Sequence, residues 1–237
     1  MATYDTVAPP PIVYPESDGQ PMADNTLQFR WIVTIQGGID ALFKDEPNVF
    51  VAGDLLWYAV EGYPKIRTAP DILVAFGRPK GERGSYQQWH ESNIPPQVVF
   101  EILSPGNRVA EMTRKFQFYE RYGVEEYYLY DPEIVDLAGW VRSDGVLAAV
   151  ETMDGWVSPR LGVRFAIEEG DLRLYRPDGR RFATYIELER ERQQAQQQAT
   201  HEHERAERAQ QQAERAQQQA ERLAAQLRAL GVEPDPE

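Results

Sequence analysis

Glu101 stands in the middle of "PPQVVFEILSP" (residues 95–105), where Val98, Val99, Phe100, Ile102 and Leu103 otherwise read as a buried strand. An unpaired ionised carboxylate in such a place costs several kcal/mol or shifts its pKa until it neutralises, so a partner is expected. Asp71 follows Pro70 and opens a second strand-like run, "DILVAF". The polar loop "RPKGERGSYQQWHESNIPP" joins the two runs, which are therefore expected to lie side by side and antiparallel. Asp71 then meets the Glu101 and Ser104 end of its partner. Cross-strand Cβ atoms lie about 4.5–5.5 Å apart and diagonal ones about 7–8 Å. Either separation lets two carboxylates converge on one Mg²⁺ or Mn²⁺. Mg²⁺ is typically held by one or two protein carboxylates, with water and substrate phosphate completing an octahedron. Asp54, in the run before Asp71, offers a further ligand or an outer contact. Lys115 is the only lysine of the second predicted helix, and that helix returns over the sheet toward the carboxylates. Its charge suits orientation of water or balance of a phosphate.

The same residues admit structural readings. An Asp after Pro is a common turn residue, and Glu101 could face solvent on an edge or pair with Arg67 or Arg114. Lys115 could run its stem along the surface with its head in water. Other chemistries are less well supported. His90, His201 and His203 are too scattered for a histidine metal triad. "GERGSY" lacks the Gly-Lys-Ser/Thr ending and following helix of a phosphate loop. Ser104 has neither a nucleophile elbow nor an evident histidine base.

The elements that must hold these groups follow from pattern. "NTLQFRWIVTIQGGIDALFKDE" reads as a helix capped by Asn25, with Leu27, Trp31, Ile35, Ile39 and Leu42 on one face. Gly37 and Gly38 weaken it, in exchange for close packing. "NVFVAGDLLWYAVEG" reads as a strand with a bulge at Gly53. "VAEMTRKFQFYERYG" is a second helix with Met112, Phe116 and Tyr119 on one face and Gly123 as C-cap. "VEEYYLYDPE" is a further strand, and two hairpins follow, in "AGWVRSDGVLAAVETMDGWVSPRLGVRF" and "GDLRLYRPDG". The fold class expected is α+β (α/β-like) around one mixed sheet.

Composition divides the chain into a flexible arm at residues 1–24, a body at 25–186, a Gln/Arg/Ala-rich coiled coil at 187–231 and a disordered tail at 232–237. In the coiled coil "AERAQQQ" occurs twice. Ala206, Ala213, Ala220 and Leu227 fall at heptad position a, with Ala209, Ala216, Leu223 and Leu230 at d. An alanine seam buries little surface, so self-association through residues 187–230 is expected to be weak or conditional. The alternative is a solvated single helix held by charge pairs. No cysteine is present, which removes disulfides, thiolate metal sites and cysteine nucleophiles and fits a cytoplasmic location. Neither a signal peptide nor a membrane-length apolar run is expected. The net charge of −13 opposes tight, unaided binding to nucleic acid.

"APDILVAFG", "PPQVVFEILSPGN" and "RKFQFYERYGVEEYYLYDP", in this order, resemble the Uma family of restriction-endonuclease-like proteins, in the PD-(D/E)XK nuclease superfamily. "VFVAGDLLWY", "SPRLGVRF" and "DLRLYRPDGRR" extend the resemblance over residues 25–186. It implies a helix, a three-stranded antiparallel meander, a second helix and a further strand. It also implies Mg²⁺-dependent endonuclease hydrolysis of DNA phosphodiester bonds, with Asp71 and Glu101 as the superfamily's two acids. The superfamily's lysine belongs two residues after the second acid, where this chain has Leu103. In this family a lysine on the following helix substitutes, and Lys115 is the matching position. Glu111 stands where the family tends to have an aspartate. The alternative is a nuclease fold serving as a binding or assembly module through its coiled coil, which the acidic charge and the relocated lysine favour.

Overall fold

Asn25 begins the first helix as its spacing predicts, its side-chain oxygen accepting the Gln28 N–H at 2.8 Å. The computed structural model describes residues 12–17, 19 and 21–229. Helix α1 spans Thr26–Leu42 and buries Trp31, Ile32, Ile35 and Ile39. Six strands form the main sheet in the order β1 (Val49–Gly53), β4 (Ile72–Phe76), β6 (Val98–Ile102), β7 (Glu126–Asp131), β8 (Asp136–Ser143), β9 (Val146–Ala149). β1–β4–β6 is an antiparallel meander, while β6 and β7 pair in parallel. Helix α2 (Val109–Tyr122) is the crossover that a parallel pair requires. It ends at Gly123, where φ is +96°. A side chain is rarely accommodated at that angle.

Alternation along the strands divides the core in two. Ile72, Val74, Val98, Phe100, Ile102, Tyr128 and Tyr130 pack with α1 on one face. Leu73, Ala75, Val99 and Tyr127 pack with Tyr119 and Phe116 of α2 on the other. Side chains along a strand alternate between faces, so Glu101, between Phe100 and Ile102, shares the face of Val99 and points to α2.

Two expectations are corrected. The run after Val49 is not one bulged strand: Gly53 pairs in register with Ile72, and the strand stops at Asp54, whose φ is +46°. The chain leaves the sheet there, and β2 (Trp57–Tyr58) joins β3 (Arg67–Thr68) and β5 (Tyr86–Gln87) in a small separate sheet. The hairpins also divide differently. β8 and β9 extend the main sheet, while β10 (Arg164–Glu168) pairs across Glu169–Gly170 with β11 (Asp171–Tyr175). Part of the arm makes contacts with the body. The Tyr14 ring packs on Tyr58 and Trp89, and the Pro15 carbonyl accepts the Tyr58 hydroxyl.

The two helix glycines differ. A Cβ on Gly38 would lie 2.3 Å from the Phe182 ring, whereas one on Gly37 would meet nothing within 4 Å. Gly38→Ala is expected to lower stability by about 1–3 kcal/mol through overpacking. Gly37→Ala should raise it by about 0.5–1 kcal/mol through helix propensity. Denaturant melts of both variants check this, and equal effects would refute the close-packing account.

The chain divides into two units, Met1–Thr184 and Tyr185–Glu237. In the second, α3 (Tyr185–Ala229) buries no residue. Pairs along its surface include Arg208–Glu204 at 3.2 Å and Gln210–Glu214 at 3.1 Å. Leu223 and Leu227 are exposed, and Leu230 and the tail at 232–237 lie outside the described residues. Among the described residues no helix is long and apolar enough to cross a membrane.

Candidate functional site

The meander places the two acids as their register predicts. Ile72 pairs with Phe100, and continuing that register sets Asp71 opposite Glu101. Asp71 Oδ2 accepts the Ile102 backbone N–H at 2.6 Å, which fixes the carboxyl at the strand end. Asp54 sits across the neighbouring strand, and its backbone N–H donates to the Asp71 carbonyl at 3.1 Å.

Glu101 is 2% exposed, and its partners come from α2. Lys115 Nζ donates to Glu101 Oε2 at 2.8 Å and to the Ala69 carbonyl at 3.1 Å. The Tyr119 hydroxyl donates to Glu101 Oε1. Lys115 and Tyr119 are one helical turn apart, so both reach the same carboxylate. Neither Arg67 nor Arg114, the arginines that sequence suggested as partners, pairs with Glu101. Arg67 Nη1 instead donates to the Tyr58 hydroxyl at 3.1 Å. Tyr119 is fully buried and reads in sequence as a core aromatic. The overlooked signal is its four-residue spacing from Lys115.

Burial, then the nearby Glu101 charge, raises the Asp71 carboxyl from its ordinary 3.8 to about 8, against the opposing pull of Lys115. Burial alone would lower Lys115, but the Glu101 and Asp71 carboxylates outweigh it and hold its pKa above the ordinary value. Burial and the adjacent Glu101 raise Tyr119 well above the usual phenol range, so it is a donor here.

Asp71 and Lys115 open onto a cleft of about 780 Å³. One face of α2, bearing Glu111, Arg114, Lys115 and Phe118, forms one wall at helical spacing, and residues 65–69 line it as well. Asp54 and residues 21–24 of the arm also line it. Asp24 is held there by the Ser104 hydroxyl, which donates to its Oδ2 at 2.5 Å. Among the described residues no three His, Asp or Glu side chains are grouped as a metal cage. What the fold brings together is the pair Asp71 and Glu101 with Lys115; Asp71, Lys115 and Asp54 line the cleft, while Glu101 lies behind that lining. Another buried acid is Glu126. It is satisfied by the Ser158 and Tyr128 hydroxyls and the Arg160 N–H, and it lines no part of this cleft.

The site thus sits on an α+β core with an antiparallel meander and a crossover helix, its two acids at adjoining strand ends. The chain belongs to the Uma2 family, whose model, described as "Putative restriction endonuclease", matches residues 39–216. That match starts within α1 and runs into α3. Among solved structures the chain is similar to "a putative nuclease belonging to DUF820" from Anabaena variabilis. The two share 17% identity, with 60% of this chain and 79% of that one covered and a TM-score of 0.44. A search of curated proteins returned no match.

Proposed function

We propose that this protein is a metal-dependent endonuclease hydrolysing DNA phosphodiester bonds, with Asp71, Glu101 and Lys115 as its catalytic set. The observation that carries this is the meeting of two carboxylates from adjoining strands with a partly buried ammonium, beside an open cleft. The donor set fits a divalent cation. Asp71 is driven toward the neutral form by burial and by a second carboxylate, a conflict that a bound cation relieves. Only Asp71 Oδ2 has a hydrogen bond among the described residues, which leaves its other oxygen to the cleft. Glu101 keeps lone pairs beyond those used by Lys115 and Tyr119.

Asp71 and Glu101 would hold Mg²⁺ or Mn²⁺, with Asp54 within reach of the same space. The ion would polarise the phosphate and lower the pKa of bound water. Lys115 places positive charge where negative charge develops in the transition state, and Tyr119 keeps Glu101 aimed. The mouth of the cleft supplies water.

The test is cleavage of supercoiled and linear DNA by the full chain with Mg²⁺, Mn²⁺ or EDTA, beside Glu101→Gln. Cleavage should require the metal and fall at least about 100-fold in the variant, the scale seen when a stabilising group is removed. Metal-independent cleavage, or equal cleavage by Glu101→Gln, would overturn the assignment.

One observation favours a second reading, that of an assembly module. The helix α3 is 45 residues long and carries Leu223 and Leu227 exposed on its heptad seam. Under this reading the protein is catalytically weak or inactive and self-associates through residues 187–230. Sedimentation of the same preparation separates the two, because the module must be oligomeric and silent in the cleavage assay.

A further inference from the structure

We infer that Lys65, Arg67 and Arg114 form a seat for the phosphodiester backbone of DNA along the catalytic cleft. The identity of the ligand rests on the nuclease reading; the existence of the seat rests on how this acidic protein distributes its cations. In the body many of them are held by carboxylates. Arg78 and Arg83 both hold Glu91, Lys80 holds Asp40, Arg160 holds Glu125 and Arg180 holds Asp178. Lys65 and Arg114 are exposed and have no hydrogen bond or ion pair among the described residues, and both line the cleft of Asp71 and Lys115. In a chain of net charge −13, a surface cation with no carboxylate in hydrogen-bond reach keeps its donors for an anion.

Their placement suits a strand of phosphates. Arg114 shares with Lys115 the face of α2 that walls the cleft, and Lys65 and Arg67 line the cleft from residues 65–69. Arg67 is held in place by the Tyr58 hydroxyl and ring. A fixed guanidinium binds phosphate through two parallel N–H donors, whereas a lysine acts as a mobile point charge. The cleft also has acids, but two of them are engaged. Asp24 accepts the Ser104 hydroxyl, and Glu111 is close enough to help raise Lys115. Contacts of this kind hold the backbone in register and carry no base information.

The test is anisotropy of a labelled DNA duplex with the full chain in EDTA, over a KCl series. Wild type is compared with Lys65→Ala/Arg114→Ala and with Arg30→Ala/Arg121→Ala, which removes two exposed cations outside the cleft that are likewise without an ion pair among the described residues. Removing one phosphate-binding cation should flatten the log–log salt slope by about 0.9 and weaken binding about ten-fold at moderate salt. The cleft variant, with two removed, should therefore have a slope shallower by about 1.8, while the control stays near wild type. Equal weakening in both variants, an unchanged cleft variant, or no binding by wild type would overturn the seat. Failure of the two readings is distinguishable. Binding through these cations without metal-dependent hydrolysis removes the nuclease and leaves the seat. Hydrolysis with an unaltered KM in the cleft variant removes the seat and leaves the nuclease.

Discussion

Lys115→Met is expected to lower the unfolding free energy by about 3–5 kcal/mol, the cost of removing one partner from a buried ion pair. The glutamate side chain is buried at 3% exposed and the lysine side chain is mostly covered at 18%, and Nζ lies 2.8 Å from the carboxylate. Without the ammonium, Glu101 keeps only the Tyr119 hydroxyl, and the Ala69 carbonyl loses its donor too. Methionine matches the lysine stem in shape, so the destabilisation reports charge more than packing. Glu101→Gln added to this variant should recover much of the stability, because the uncompensated charge is gone. Denaturant unfolding in EDTA measures all four proteins of the cycle. A single variant within about 1 kcal/mol of wild type, an ordinary figure for a surface pair, would show that Lys115 does not neutralise Glu101.

Asp71→Asn has the opposite sign. A carboxyl whose folded pKa is about 8 and whose ordinary value is 3.8 binds more protons folded than unfolded between those limits. Stability therefore falls as pH rises through that window. The asparagine variant has no such proton to hold, and its side-chain oxygen can still accept the Ile102 N–H. It should match wild type near pH 4 and exceed it by a few kcal/mol near pH 8 without metal, since each pKa unit is worth about 1.4 kcal/mol. Under the proposed function it should also lose metal-dependent cleavage. A more stable protein without activity is the signature of an acid retained for chemistry at a cost in stability. Parallel pH–stability curves for the two proteins would rule out the raised pKa. Mg²⁺ should stabilise wild type and leave Asp71→Asn unmoved.

Sequence alone determined the frame of this site. Pro70 and the polar loop before Pro95 bound two strand-like runs, and their antiparallel pairing puts Asp71 beside Glu101 as the register of β4 and β6 shows. Strand period and turn residues are local properties, so they survive in the linear pattern. Lys115 was legible because no other lysine lies in α2, and Gly123 because a helix end at positive φ calls for glycine. Three matters were decided only by tertiary structure. The break after Gly53 follows from Asp54 in the left-handed region, where an apolar run had suggested continuation. The contacts of Tyr14 and Pro15 bring the arm against a distant small sheet, and no local pattern encodes that pairing. Tyr119 reads as core because most of its surface is core. Its hydroxyl becomes part of the site only because the sheet turns Glu101 toward α2 and the crossover lays that helix over it. The question of what compensates a carboxylate in an apolar strand thus had half its answer in sequence, the neighbouring acid and the lysine. Packing supplied the other half, since burial decides which donor reaches which oxygen.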